Sequence, residues 1–199
     1  VVLRASQTAS VAIPVSGWTI RSGLTGVYAT VPLAASPFVQ GVVNSVDTIT
    51  LSAGEAVLLT SGTSPVGVSF RETTCTGYLS QTQRFSPPLS NACTRPSVLL
   101  PRSPAKEAQY GTSCFDLIER LPQCTYPTIM PSTITPACRS MLTDALSYGG
   151  CMRSYEQGAV KHMNTWRAYQ SSANELWGNS HDTLVLLDGY GRIVTTLSY

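Results

Sequence analysis

The feature that most constrains the fold is a β-hairpin in the last nineteen residues of the chain. Two apolar runs, 184–187 and 193–197, flank the turn sequence Asp-Gly-Tyr-Gly of residues 188–191. Asp-Gly followed by a second Gly supplies the positive φ angles that tight hairpin turns need. One hairpin cannot bury its apolar face alone, and the sequence before it is cysteine-bearing and helical in pattern. The hairpin therefore predicts a β-domain whose other strands lie far upstream, beyond an insert.

The first part of the chain, residues 1–66, predicts a series of short strands. Residues 16–22 alternate polar and apolar side chains, with Trp18 and Ile20 on one face, and β-branched runs with turn signals recur on either side. Short strands at regular intervals are typical of a sandwich or a barrel. We therefore expect residues 1–66 and 181–199 to form one β-sandwich, with Trp18 in its core.

The sequence between these two parts, residues 67–180, predicts a largely helical subdomain. Apolar side chains recur at the spacing of an amphipathic helix within residues 112–121, 135–149 and 159–170. A threonine followed by a proline at the start of the second helix fits an N-cap and a first helical position. The expected fold is thus mainly β, with a helical insert.

All the cysteines lie within this insert, and their even number predicts a disulfide framework in an oxidising compartment. No two of them form the close C-x2-C pair that zinc sites use, so a metal role is not expected. The six are Cys75, Cys93, Cys114, Cys124, Cys138 and Cys151.

Helix geometry favours one pairing of these cysteines. If the first two helices form an antiparallel hairpin, a cysteine at the start of one helix lies beside a cysteine past the end of the other. The remaining connectivities that six cysteines allow stay open. The expected bridges are Cys114–Cys151, Cys124–Cys138 and, from the two cysteines left over, Cys75–Cys93.

Composition narrows the class of protein. Charged residues are 12% of the chain, against about 25% in an average globular protein. The net charge of +2 includes no run of like charge, so the chain has no electrostatic footprint for nucleic acid. No apolar stretch approaches the length of about 18 residues that a membrane span needs. The chain begins with Val1, so we expect a processed end or a fragment of a secreted, extracellular or cell-surface protein, with any signal peptide outside these residues.

No arrangement of residues predicts catalysis. The two histidines, His162 and His181, are far apart in sequence. Ser180 and Asp182 flank His181, but sequence neighbours rarely point at one another, and no Gly-x-Ser-x-Gly elbow is present. Asp188 fits a turn-stabilising role better than a calcium site, because no acidic array accompanies it. We expect no catalytic residue, cofactor or metal, and the chain is not expected to be an enzyme.

Three segments, read in order, resemble the lamin-tail domain. Residues 11–22 contain Ser-Gly-Trp-Thr-Ile after an apolar run, residues 49–62 contain Leu-Ser-Ala-Gly-Glu before an apolar strand and Ser-Gly, and residues 182–194 contain Asp-Thr-Leu-Val-Leu-Leu-Asp-Gly-Tyr-Gly-Arg-Ile-Val. The cysteine-containing middle is similar to an insert in a bacterial subset of these proteins. The resemblance implies an immunoglobulin-like sandwich without catalytic residues, used as a scaffold or interaction module.

The first functional hypothesis is a non-enzymatic extracellular structural or cell-surface module that mediates protein–protein assembly. Its partners would be other protein subunits or domains, a second copy of the chain, or components of the cell envelope. An exposed terminal strand is a template for strand addition, so assembly into a multimer or filament through the amino-terminal segment is expected. The candidate assembly residues are Val1, Val2, Leu3, Val11, Ile13 and Val15.

The alternative hypothesis is an adhesion module that binds carbohydrate or a cell-wall polymer. Aromatic side chains close together on a helix could form a stacking platform, or they could anchor the insert on the sheet. The residues concerned are Trp166, Tyr169 and Trp177.

Overall fold

The computed structural model describes residues 1–153, 155, 158–178 and 180–199. The chain divides into two compact units, the sheet unit of Val1–Arg71 with Met163–Tyr199, and the cysteine unit of Glu72–His162. The sequence placed the boundaries of the insert at residues 67 and 180. Both boundaries differ: the cysteine unit begins at Glu72, and it ends at His162 because the segment expected to be the third helix is a strand of the sheet unit.

Two four-stranded sheets and a short two-stranded sheet are formed by the described residues. Their strand orders are β1-β6-β8-β7, β10-β9-β3-β4 and β2-β5. The predicted mixture of strands and helices is therefore confirmed. The strands are β1 (Val2–Arg4), β2 (Ile13–Pro14), β3 (Thr19–Ser22), β4 (Tyr28–Thr30), β5 (Thr50–Leu51), β6 (Ala56–Thr60), β7 (Phe70–Thr73), β8 (His162–Tyr169), β9 (Thr183–Leu187) and β10 (Ile193–Ser198).

The predicted carboxyl-terminal hairpin is present as the antiparallel pair β9 and β10. Gly191 has a φ of 76° in the turn, a value that glycine reaches without steric cost. The Asp188 carboxylate accepts hydrogen bonds from the backbone N–H groups of Tyr190 and Arg192, both at 2.9 Å, and from the Arg192 guanidinium. Asp188 is thus a turn residue, as the sequence indicated.

The third helix expected over residues 159–170 is wrong. Its residues form β8, which runs parallel to β6, with Trp166 opposite Val57 and Ala168 opposite Leu59. β8 is an inner strand, and its last four residues are all buried. A strand buried on both faces shows no alternation of polar and apolar residues, so helical spacing of its apolar residues was a coincidence.

The core of the sheet unit contains side chains from both four-stranded sheets. Ile20, Leu184 and Leu186 come from one sheet, and Val57 and Trp166 come from the other. Burial of this shared cluster supplies the main driving force for folding of the unit. Whether the sheets have the immunoglobulin-like arrangement stays a prediction.

The cysteine unit consists mainly of short helices. The second predicted helix is confirmed, with the Thr135 side-chain hydroxyl accepting a hydrogen bond from the Cys138 backbone N–H at 3.1 Å and Pro136 in the first turn. No helix among the described residues has the length and apolar character needed to cross a membrane. The helices are a 3-10 helix (Thr76–Gln81), α1 (Pro96–Leu99), α2 (Pro104–Tyr110), α3 (Thr112–Arg120), α4 (Pro136–Ala145) and α5 (Tyr148–Met152).

All six cysteines are in disulfides, as expected, but the expected pairing is wrong. Cys114 and Cys138 both lie in the first turn of their helices, α3 and α4, and their Cα atoms are 5.9 Å apart. The two amino-terminal turns therefore meet, whereas the antiparallel hairpin required the start of one helix to meet the end of the other. The bridges are Cys75–Cys151, Cys93–Cys124 and Cys114–Cys138.

Candidate functional site

The candidate site is the open edge formed by β10 in the sheet unit. β10 pairs with β9 on one side, and no strand of the described residues pairs with its other side. All six of its residues are exposed. Ile193 is 68% exposed, Val194 48% and Leu197 56%. Apolar side chains on an unpaired strand are a ready template for pairing with another chain.

The backbone groups that face this open edge follow from the hydrogen bonds of the hairpin. The Tyr199 N–H donates to the Asp182 carbonyl oxygen at 3.1 Å. In an antiparallel pair, alternate residues turn their N–H and C=O groups toward the same neighbour. Leu197 therefore bonds to β9, and the N–H and C=O groups of Thr196 and Ser198 face the open side.

The side chains of β10 alternate in the same way between two faces. Leu197 lies opposite Leu184, and Thr195 lies opposite Leu186. Leu184 and Leu186 belong to the buried core, and directly opposed residues of a sheet share a face. Leu197 therefore stands on the core-facing side of the sheet, at its edge, where no strand of the described residues lies beyond it.

An apolar groove of about 350 Å³ lies next to this edge, within the sheet unit. Its walls come from β1 and the segment after it, from β2, β5 and the residues between β2 and β3, and from β9 and β10. Trp18, expected in the core, is partly buried: it packs against the core and also lines the groove. The apolar lining includes Leu3, Ile13, Val15, Trp18, Leu186 and Val194.

β10 differs from the other edge strands of the four-stranded sheets. β1 and β4 have three residues each, and β1 contains Arg4. β7 is bonded on its outer side to Ala35, whose N–H donates to the Ser69 carbonyl oxygen and whose carbonyl oxygen accepts from the Arg71 N–H. Charges, short lengths and cover by another segment are the usual protection of an edge against unwanted pairing. The segment 193–199, Ile-Val-Thr-Thr-Leu-Ser-Tyr, has no charged residue, and this was the sequence signal that could have identified β10.

The expected assembly residues of the amino-terminal segment are mostly paired within the chain. β1 pairs with β6, with Val2 opposite Leu58 and Leu3 opposite Val57. The Val1 amino group donates to the Leu59 carbonyl oxygen at 3.0 Å. β1 is still an edge strand, so strand addition there stays a prediction.

The other candidate assembly residues, Val11, Ile13 and Val15, differ in how exposed they are. Ile13 of β2 pairs with Leu51 of β5, and Val15 is buried. Val11 is 71% exposed. Val15 therefore belongs to the core and is not available to another chain.

The aromatic platform expected on a helix is not formed. Trp166 and Tyr169 lie on β8 and are 5% and 8% exposed. The Arg71 guanidinium lies 5.1 Å from the centroid of the Trp166 ring. Trp177 is partly buried and packs against the core. These rings are therefore structural, and the expectation of a ligand surface at Trp166 and Tyr169 is wrong.

The buried carboxylate of Asp182 is held in a structural network. It accepts hydrogen bonds from the Ser22 hydroxyl at 2.7 Å and from the backbone N–H groups of Thr183, Leu24 and Gly178. The Ser22 bond, followed by the backbone donors, lowers the pKa of Asp182. Its oxygens are thus engaged in joining three segments, and they do not orient His181 for proton transfer.

The other histidine also has a local partner. The His162 Nε2 atom lies 2.8 Å from the Tyr155 hydroxyl oxygen, and the two rings meet edge to face. Across the described part of the chain, no three His, Cys, Asp or Glu residues come together as a metal site would require.

The cysteine unit contains a larger cavity of about 610 Å³. Tyr78 lines it and is 3% exposed, and its hydroxyl group has no hydrogen-bond partner among the described residues. Burial raises the pKa of Tyr78, so this phenol stays neutral at ordinary pH and can donate or accept one hydrogen bond. The remaining lining includes Leu100, Tyr110, Met141, Arg153 and Val160.

Comparisons of this chain with protein-family models, with curated proteins and with solved structures find no match.

Proposed function

We propose that this chain is a non-enzymatic extracellular structural module that assembles with other copies of itself by pairing of edge strands. The observation that carries the proposal is β10, an edge strand whose six residues are all exposed and uncharged. The N–H and C=O groups on its open side can form hydrogen bonds with an added strand, and such a strand would cover its apolar side chains.

The extracellular setting is supported by the three disulfides, which are typical of proteins that fold in an oxidising compartment. A structural role is supported by the hydrogen bonds that occupy the candidate catalytic side chains. Asp182 is held by four hydrogen bonds, and His162 pairs with a tyrosine.

We further propose that the sheet unit is of the lamin-tail, immunoglobulin-like type. The three segments that resemble that family all fall within this unit. Residues 11–22 contain β2 and β3, residues 49–62 contain β5 and β6, and residues 182–194 contain β9. These strands pair with one another as β2 with β5 and β3 with β9, so the resembling segments form one connected part of the fold.

The groove beside β10 adds an energetic reason for assembly at this edge. A strand placed next to β10 would cover Leu197, and side chains on the same, core-facing side of that strand could enter the groove lined by Trp18 and Leu186. Covering apolar surface favours association, and the net gain is what remains after the entropy lost when two molecules join. Backbone hydrogen bonds along the edge would fix the direction of the added strand.

The test is self-association of the full chain, measured by sedimentation velocity over a range of concentrations. Thr196→Pro removes one N–H that faces the open edge and leaves the β9 hydrogen bonds intact. Thr196→Ala is the matched control, because it shortens the side chain but keeps the N–H. We expect the wild-type chain and Thr196→Ala to self-associate and Thr196→Pro to remain monomeric. A wild-type chain that stays monomeric at all concentrations contradicts the proposal.

A further inference from the structure

We infer that the strand that pairs with β10 is β10 of a second copy, in antiparallel orientation, with a two-fold axis at Leu197. This inference rests on the proposed assembly function and adds the partner element and its register. The product is a closed dimer in which the four-stranded sheet β10-β9-β3-β4 continues into the same sheet of the other copy.

The register follows from which residues face the open edge. Thr196 and Ser198 face outward, and two antiparallel strands form hydrogen-bonded pairs only between residues that face each other. Placing Thr196 opposite Ser198 of the second copy lets the outward-facing N–H and C=O groups of both residues form hydrogen bonds. The two-fold symmetry repeats this pair on the other side of the axis. Leu197 then lies opposite its own symmetry mate in a non-hydrogen-bonded pair, where side chains are closest.

A register shifted toward the start of β10 is less favourable. The hairpin register shifts between Ile193 and Thr195, and such a bulge leaves a residue unpaired and interrupts the ladder. A two-fold axis at Thr196 would place Ser198 opposite Val194, inside this irregular part. The axis at Leu197 uses only the regular end of the strand.

The side chains fit this symmetric pairing. Leu197 is 56% exposed in the single chain and would pack against the second Leu197. Thr196 and Ser198 would be cross-strand neighbours, a favourable hydroxyl pair, and Thr195 would lie opposite Tyr199. No charged residue occurs in 193–199, so the two-fold axis does not bring like charges together.

Pairing of β10 with a different edge strand of the second copy would form a less favourable contact than the symmetric pairing of two β10 strands. β1 and β4 provide three residues each, and the outer side of β7 is already hydrogen-bonded to Ala35. A head-to-tail contact of this kind would also leave one β10 edge open and propagate into a filament. The symmetric contact is the one that covers both exposed β10 strands at once.

The experiment is disulfide cross-linking of a single introduced cysteine in the full chain. Because all six native cysteines are bridged, Leu197→Cys adds one free thiol. In the inferred dimer the two Cα atoms at this position are about 4.5 Å apart, within the range for a disulfide. Oxidation by copper–phenanthroline in air removes one hydrogen from each thiol and joins the two chains. We expect most of the Leu197→Cys protein to become a reducible dimer.

The matched control is Thr195→Cys, on the same face of the same strand. In the inferred register its two copies are offset by four residues, or about 13 Å along the strands, too far for a disulfide. We expect at least a tenfold lower yield of dimer from this variant. Equal yields from both variants overturn the register.

A second measurement separates the two proposals. If the wild-type chain self-associates and Thr196→Pro does not, but Leu197→Cys fails to cross-link, the edge is used with a different partner strand and this inference is overturned. If the wild-type chain is monomeric at every concentration, both the inference and the proposed function are overturned.

Discussion

Leu197 and Leu184 are directly opposed in the hairpin, yet Leu197 is 56% exposed and Leu184 is 5% exposed. They have the same chemistry and stand on the same face of the sheet. The difference arises because β9 has neighbours on both sides, whereas β10 pairs with one strand of the described part of the chain. The position of a strand within its sheet, more than its composition, therefore decides whether its leucine stabilises the core or is available to another chain.

The first prediction contrasts these two leucines. Leu184→Ala should lower the free energy of unfolding of the sheet unit by about 2–5 kcal/mol, because it leaves a cavity in the core. Leu197→Ala should change it by less than about 0.5 kcal/mol at a concentration where the protein is monomeric. Urea titration followed by tryptophan fluorescence measures both. Equal losses in the two variants would mean that Leu197 is buried in the single chain.

Local signals in the sequence explain what could be predicted of the fold. The turn around Asp188 and Gly191 specifies the hairpin through its own hydrogen bonds and φ angles, without help from distant residues. The second helix was identified for the same reason, since its amino-terminal cap, Thr135, directly precedes it and bonds to a residue of its first turn. Elements defined by neighbouring residues are therefore accessible from one sequence.

Features that depend on residues distant in the sequence could not be predicted from the sequence alone. β8 is a strand because β6 and β7 flank it, and its spacing of apolar residues also fits a helix. The cysteine pairing depends on where α3 and α4 meet, which neither helix specifies alone. The site was missed for a similar reason: residues 193–197 were recognised as a strand, but only the order of the sheet makes β10 an edge.

The second prediction concerns the dependence of stability on pH. Hydrogen bonds from Ser22 and from backbone N–H groups lower the pKa of Asp182 in the folded protein below its usual value. The folded state therefore binds fewer protons than the unfolded state in acid. The stabilisation is fully present above the unfolded pKa and is lost as the pH falls through the native pKa.

The measurement is the slope of melting temperature against pH in variants of this hydrogen-bond network. The slope is taken below about pH 4, which is close to the pKa of an aspartate in the unfolded chain. Asp182→Asn cannot ionise, so we expect a shallower slope than in the wild-type chain. Ser22→Ala removes the main cause of the pKa shift and should also reduce the slope. Ser172→Ala removes a hydroxyl whose hydrogen bonds to described residues lie within its own turn, and it should leave the slope unchanged. A steeper slope in Ser22→Ala would contradict the proposed cause.

The third prediction ranks the disulfides of the cysteine unit. Cys75–Cys151 spans 76 residues and Cys114–Cys138 spans 24. A bridge that closes a longer loop restricts the unfolded chain more, with a dependence on the logarithm of loop length. Replacing Cys75 and Cys151 by alanine should therefore lower the free energy of unfolding by about 1 kcal/mol more than replacing Cys114 and Cys138.

Guanidinium titration followed by the helical circular dichroism signal measures this difference in the two double variants. Peptide mapping without reduction supplies the control, because each variant should retain the two remaining bridges unchanged. A peptide joining Cys114 to Cys151 in the wild-type chain would contradict the observed pairing. The sheet unit contains no cysteine, so its β-sheet signal should persist in both variants, and its loss would show that the bridges act beyond the unit that contains them.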